Sequence, residues 1–106
     1  MASKLEFVQY VADQMREAGE ITYRKMFGEY GVYCDGKIFA LICDGQLFIK
    51  ITEAGKQFAP ELKAVPPYEG SKPYFLIADV DHKDFLTDFV RITCAELPSP
   101  KPKKKK

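Results

Sequence analysis

Two Asp-Gly pairs, Asp35-Gly36 and Asp44-Gly45, each stand between apolar runs and constrain this chain more than any other feature. A two-residue loop between strands needs a backbone with φ > 0 at both positions, which Asp-Gly supplies at low steric cost, and it joins only antiparallel neighbours. The spacing predicts a three-strand meander over about 29–34, 37–43 and 46–51. A further strand near 22–27 is expected before it, with Gly28 marking a bend or bulge.

Two-residue turns also fix register, and register fixes faces, because successive side chains of a strand point to opposite sides. With Cys34 opposite Lys37 and Cys43 opposite Gln46, strict alternation puts Tyr33, Ile38, Ala40, Ile42, Leu47, Ile49 and Ile51 on one side. That side is assigned to the core beneath the helices. The other side then carries Tyr30, Val32, Phe39, Leu41 and Phe48 with Lys37, Gln46 and Lys50 at its margin, an aromatic centre with a polar rim. A patch of this kind is covered by another element or offered to a partner.

The flanking segments read as helices. Ser3-Lys4-Leu5-Glu6 fits a capping box, and Leu5, Val8, Val11, Ala12, Met15 and Ala18 recur at helical spacing before Gly19, giving a helix over about 4–18. Thr52 can cap a short helix that ends before Pro60. The stretch from Val65 to Pro73 holds three prolines and a glycine and predicts an irregular loop, Tyr74–Ala78 has strand composition, and Asp81 is expected to cap a last helix over about 82–97. The order α-β-β-β(β)-α-β-α predicts a two-layer α+β domain, an antiparallel sheet with N-terminal, middle and C-terminal helices, over residues 1–97. Residues 98–106, Pro-interrupted and rich in lysine, read as a flexible tail.

Charge has to be divided between these parts. Five of the 16 basic residues, Lys101, Lys103, Lys104, Lys105 and Lys106, fall in the last six positions. The remainder holds 11 basic against 15 acidic residues, a net charge of −4. An acidic body repels nucleic-acid phosphates while the tail attracts them, so the tail is the charged handle. Three cysteines, an odd number, argue for reduced thiols and a cytoplasmic location, since small secreted domains are held by paired disulfides. Cys34 and Cys43 lie near opposite ends of one strand, roughly 20 Å apart at the usual rise. They are therefore too distant to bridge, and Cys43 reads as a small buried apolar residue. No apolar run approaches the length of a membrane span.

Catalytic and metal signatures are sparse. His82 is the single histidine and falls at a helix start beside Asp81 and Asp84, where a solvated first turn explains it without a nucleophile nearby. Singly scattered cysteines give no ligand pair at finger spacing, and Asp79, Asp81, Asp84 and Asp88 lack the glycine and terminal glutamate of a calcium loop. No cofactor, metal or catalytic residue is assigned. Arg24-Lys25 with Phe27, Tyr30 and Tyr33 matches both single-strand nucleic-acid platforms and ordinary sheet composition.

The block Arg24-Lys25-Met26-Phe27-Gly28-Glu29-Tyr30-Gly31-Val32-Tyr33, then Gly36-Lys37-Ile38-Phe39-Ala40-Leu41 and Leu47-Phe48-Ile49-Lys50, resembles the N-terminal domain of the TfoX (Sxy) family, bacterial proteins linked to regulation of natural competence. The similarity runs over about residues 5–97, and Glu29 departs from it where a second glycine is common. It implies a two-layer α+β fold and supplies no catalytic residue. Full regulators of this family append a C-terminal helical domain, in whose place this chain has its lysine tail.

Two functions are expected. The first is a non-enzymatic regulatory or adaptor domain that engages a protein partner, or a second copy of itself, through Tyr30, Val32, Phe39, Leu41, Phe48 and Lys50. The second is a nucleic-acid-associated transcription regulator that uses Arg24 and Lys25 together with Lys101 and Lys103–Lys106. Neither requires a membrane.

Overall fold

The computed structural model describes residues 5–26, 29–78 and 80–97. Ser3, Lys4, Phe27, Gly28, Asp79 and the lysines of 98–106 lie outside them, and so do the readings that fall on those residues.

Helix α1 (Leu5–Gln14) is followed by a 3-10 turn at Arg16–Ala18 and then by four strands in succession: β1 (Ile21–Met26), β2 (Glu29–Cys34), β3 (Lys37–Cys43) and β4 (Gln46–Ile49). Helix α2 (Glu53–Phe58), two short strands β5 (Ala64–Val65) and β6 (Tyr74–Ile77), and helix α3 (Lys83–Glu96) complete the order. The six strands form one antiparallel sheet in the order β1-β2-β3-β4-β6-β5. This is the α+β fold expected, extended by β5, a two-residue edge strand inside the stretch read as an irregular loop.

Both Asp-Gly turns form as the residues require. Asp35 and Gly36 adopt φ of 52° and 85°, and Asp44 and Gly45 adopt 54° and 72°. They join Cys34 to Lys37 and Cys43 to Gln46 as adjacent cross-strand pairs. Between β2 and β3, however, the register slips: Tyr33 faces Ile38, but Val32 faces Ala40. Phe39 is an extra residue, a β-bulge, and past it the alternation of β3 resumes with the opposite parity.

That slip corrects the face assignment. Phe39 and Ala40 both point into the main core, as do Val32 and Cys34, whereas Ile38 turns to the outer face. Strict alternation had put Val32, Phe39 and Tyr30 outside and Tyr33 and Ile38 inside. Downstream of the bulge the expected faces hold, with Ile42, Leu47 and Ile49 inside and Leu41 and Phe48 outside. Lys37, expected at the rim of the outer patch, lies on the helix side, where its Nζ donates to the carbonyls of Cys94 (2.7 Å) and Leu97 (3.2 Å). The charge thus satisfies carbonyls that the end of a helix leaves unpaired.

Helices α1 and α3 cover the inner face. Val8 and Val11 from the first, Met15 just after it, and Leu86, Phe89 and Val90 from the second, are fully buried against Val32, Phe39, Ala40, Ile42, Leu47 and Ile49. Helix α2 is short and is held by its ends. Thr52 Oγ1 accepts from the Gly55 N–H at 2.9 Å, and the Glu96 carboxylate accepts from the Glu53 and Ala54 N–H groups at 3.0 and 2.9 Å. Those two backbone donors hold the Glu96 carboxyl below the usual glutamate range. Being depressed in the folded state, it contributes stability above the ordinary glutamate pKa that is lost as pH falls through its folded value. Gly55 leaves room for this packing, since a Cβ there would meet Phe89 and the Thr52 hydroxyl at 3.0 Å. The last helix begins one residue later than read. His82 occupies its cap position without a side-chain cap, and the Asp81 carboxylate instead accepts from the Tyr10 hydroxyl on α1.

Because the Phe39 ring fills the centre of the core, Phe39→Ala is expected to destabilise the fold by about 3–5 kcal/mol through a large-to-small cavity. Urea unfolding followed by circular dichroism measures this. A loss under about 1 kcal/mol, the size of an exposed-surface substitution, would contradict the inward placement.

Candidate docking hollow on the outer sheet face

The residues expected to form one docking patch are separated by the bulge. Val32 and Phe39 have no exposed surface. Tyr30 is half-buried against the main core, with its ring edge-on to Tyr23 at 6.1 Å between centroids. Leu41 and Phe48 do share the outer face, but they are buried there in a second, smaller cluster with Cys43, against which Ile38, Val65, Tyr74 and Leu76 pack. Lys50 is half-buried. Arg24 and Lys25 are both exposed on β1, and Lys101 and Lys103–Lys106 lie outside the described residues.

Beside the outer cluster the surface opens into a hollow of about 490 Å³. Its floor is Leu41 and Cys43, its rim Glu29, Tyr30 and Asp44, and its far wall Pro67 and Tyr68. The loop between β5 and β6 supplies that wall, and Tyr68 is the most exposed large apolar side chain among the described residues, at 60%. Sequence reasoning missed Pro67 and Tyr68. The signal was there in Pro66-Pro67-Tyr68, a proline-stiffened segment bearing an aromatic ring, but nothing local says onto which face such a loop folds.

Chemically the hollow is apolar with an acidic margin. The Cys43 thiol is pushed up, first by burial and then by the negative charges of Glu29 and Asp44. Burial likewise pushes up the Tyr74 hydroxyl, two strands away on β6. A thiol raised in this way is a poor nucleophile. The arrangement suits contact with an apolar or aromatic side chain rather than bond-making.

The other two cysteines come close to each other across the core, an approach that no local spacing reveals. Cys34 on β2 and Cys94 on α3 lie close enough to influence one another, and burial, followed by the neighbouring Cys34 thiol, pushes Cys94 up to about 12. All three cysteines are free and buried, and Cys34 and Cys43 stand at opposite ends of the β2–β3–β4 meander as expected. His82 stacks on Phe85 at 5.8 Å and borders a second hollow of about 610 Å³ with Glu61, Lys63 and Leu76. Among the described residues no three His, Cys, Asp or Glu side chains come together to hold a metal ion.

Comparison with known proteins agrees with this architecture. The model of the TfoX N-terminal domain matches residues 13–96, nearly the whole of the region from the end of α1 to the end of α3. The chain belongs to the TfoX N-terminal domain family. That family is not known as an enzyme family. The chain is also similar to an uncharacterised 12.7 kDa protein in the trpE 5′ region of Spirochaeta aurantia, with 36% identity over 107 residues that cover all of this chain and 93% of the relative. Within this TfoX N-terminal domain no helix among the described residues is long and apolar enough to cross a membrane.

Burial makes the thiols the most direct chemical probe of this packing. Iodoacetamide at pH 8 is expected to leave all three cysteines unmodified in the native protein over an hour and to modify all three once denaturant is added, as read by intact mass. Prompt native-state modification of Cys43 would mean that the floor of the hollow is open.

Proposed function

We propose that this TfoX N-terminal domain is a non-enzymatic regulatory or adaptor module of the bacterial cytoplasm, acting through protein–protein contact. The observation that carries the reading is the hollow floored by Leu41 and Cys43 and walled by Pro67 and Tyr68. A concave apolar site beside an exposed aromatic anchor has the composition of an interface centre, where buried aromatic contacts supply most of the binding energy. Family membership supports a regulatory role of the kind linked to natural competence and transcription. The raised Cys43 thiol supplies no activated nucleophile at the floor of the hollow.

A second reading, nucleic-acid association, draws on the exposed pair Arg24 and Lys25 together with the lysines of 98–106. Against it stands the net charge of −4 over residues 1–100, which opposes approach to phosphate.

The two readings separate experimentally. Tyr68→Glu removes an exposed ring and leaves the core untouched, so the melting temperature should not change. Retention of a cellular partner on the immobilised domain should nevertheless fall at least ten-fold. Equal retention by the folded variant would count against the hollow. In the second reading, a chain ending at residue 97 would lose both DNA affinity and the steepness of its salt dependence, and under the adaptor reading neither exists to be lost.

A further inference from the structure

The charged residues that line the hollow on the outer face are both acidic. Glu29 and Asp44 stand on its rim, and Leu41, Cys43, Pro67 and Tyr68 supply an apolar floor and wall. Asp44 is exposed in its turn, and Glu29 is half-buried. Glu69 follows Tyr68 in the wall loop and brings a third carboxylate to that segment. The field of the rim reaches the floor, since after burial it is Glu29 and Asp44 that raise the Cys43 thiol.

The nearby cations belong to other surfaces. Arg24 is on β1, two strands from Leu41 and diagonal to Glu29 across the ladder. Lys25 pairs with Tyr30 and takes the helix side with that ring, and Lys72 stands four residues beyond Tyr68. None of the three lines the hollow.

Such a site suits a carbon chain for the floor that ends in a positive head for the rim. Arginine has both. Its methylene stem packs on apolar surface while the head stays at the margin, and its planar guanidinium stacks on aromatic rings and donates to carboxylates in pairs. A lysine ammonium is a more strongly hydrated point charge and gains less from a ring. Arginine is also enriched at protein interfaces, whereas lysine is depleted there. The lysines of this chain's own tail set out from the far side. Leu97, the last described residue, accepts from Lys37 on the helix side, at the Asp35-Gly36 end of β3. The hollow lies on the outer face at the Asp44-Gly45 end.

We propose that the hollow receives an arginine side chain of a protein partner, its stem on Leu41 and Cys43, its guanidinium toward the Glu29 and Asp44 carboxylates, and Tyr68 as the ring it packs on. This rests on the adaptor reading, which requires only that the hollow hold some part of a partner.

The test is chemical-shift mapping by NMR on the full chain. Three blocked seven-residue peptides serve as probes, identical apart from a central arginine, citrulline or lysine beside a leucine. Citrulline keeps the shape of arginine without its charge. At low salt the arginine peptide should shift the amides of Leu41, Cys43, Asp44 and Tyr68. It should bind at least ten-fold tighter than the citrulline peptide and several-fold tighter than the lysine peptide. Glu29→Gln combined with Asp44→Asn removes the rim charge, and asparagine accepts the φ of 54° at that turn position. The melting temperature should therefore hold while affinity for the arginine peptide falls about ten-fold. Tyr68→Ala should cost a similar factor. Equal affinity for the arginine and citrulline peptides at the hollow would overturn the cation and leave the adaptor reading standing on an apolar site. Equal affinity for the lysine peptide would overturn the choice of arginine. Shifts at Leu41, Cys43 and Tyr68 on removal of residues 98–106, with no peptide present, would place the chain's own tail in the hollow and overturn the partner as source. Shifts confined to other surfaces, or none, would overturn the inference, and retention of a cellular partner by the Tyr68 variant would still judge the adaptor reading by itself.

Discussion

Between Val32 and Tyr33 on one strand and Ala40 and Ile38 on the next, β3 carries one residue more than β2, and the surplus residue is Phe39. Most of what distinguishes the two faces of the sheet depends on that insertion. It lets Phe39 and Ala40 both point inward, where a large ring beside a small side chain fills the space under α1 and α3 without forcing either helix away. The same insertion brings Lys37 to the helix side. There its ammonium meets the C-terminal carbonyls of α3, tying the turn end of β3 to the last helix. A bulge also sharpens local twist, which suits a sheet that curls around two helices on one face.

Around that centre the elements are fastened by their ends more than by surface ion pairs. Glu96 at the close of α3 receives the first N–H groups of α2, Thr52 caps the same helix from its own chain, and Tyr10 on α1 reaches Asp81 ahead of α3. The ion pairs between Arg16 and Asp13 and between Lys56 and Glu53 are largely solvent-exposed and add little by comparison. Core burial and the fastening of the helices to one another leave the outer side of the sheet to a small cluster and a proline-bearing loop. The accessible contact surface has therefore shrunk from a broad aromatic patch to a hollow beside Tyr68.

Legibility in the sequence followed the range of the cause. Asp35-Gly36 and Asp44-Gly45 encode their turns locally, so the meander and the pairs that flank each turn could be read to the residue, whereas the register beyond the first turn could not. The Thr52 cap and the apolar stripes of α1 and α3 are local as well. Phe39's inward turn is not, because a bulge is chosen by what the ring gains in a core assembled from segments 50 residues away, and nothing in Lys37–Leu41 marks it. The same holds for β5, whose two residues become a strand only because β6 offers an edge, and for Tyr68, whose position depends on how its loop lies across the sheet. Faces assigned by alternation thus held after the bulge, at Leu41 and Phe48, and failed up to it, at Val32 and Phe39.

Nuclear Overhauser contacts across β2 and β3 test this account at its centre. With the bulge in place, backbone protons of Val32 should show cross-strand contacts to Ala40 and those of Tyr33 to Ile38, and the Phe39 ring should contact methyl groups of the buried cluster that includes Val11 and Val90. Contacts from Val32 to Phe39 instead, with the Phe39 ring free of those methyl groups, would restore strict alternation and contradict the assignment of both faces.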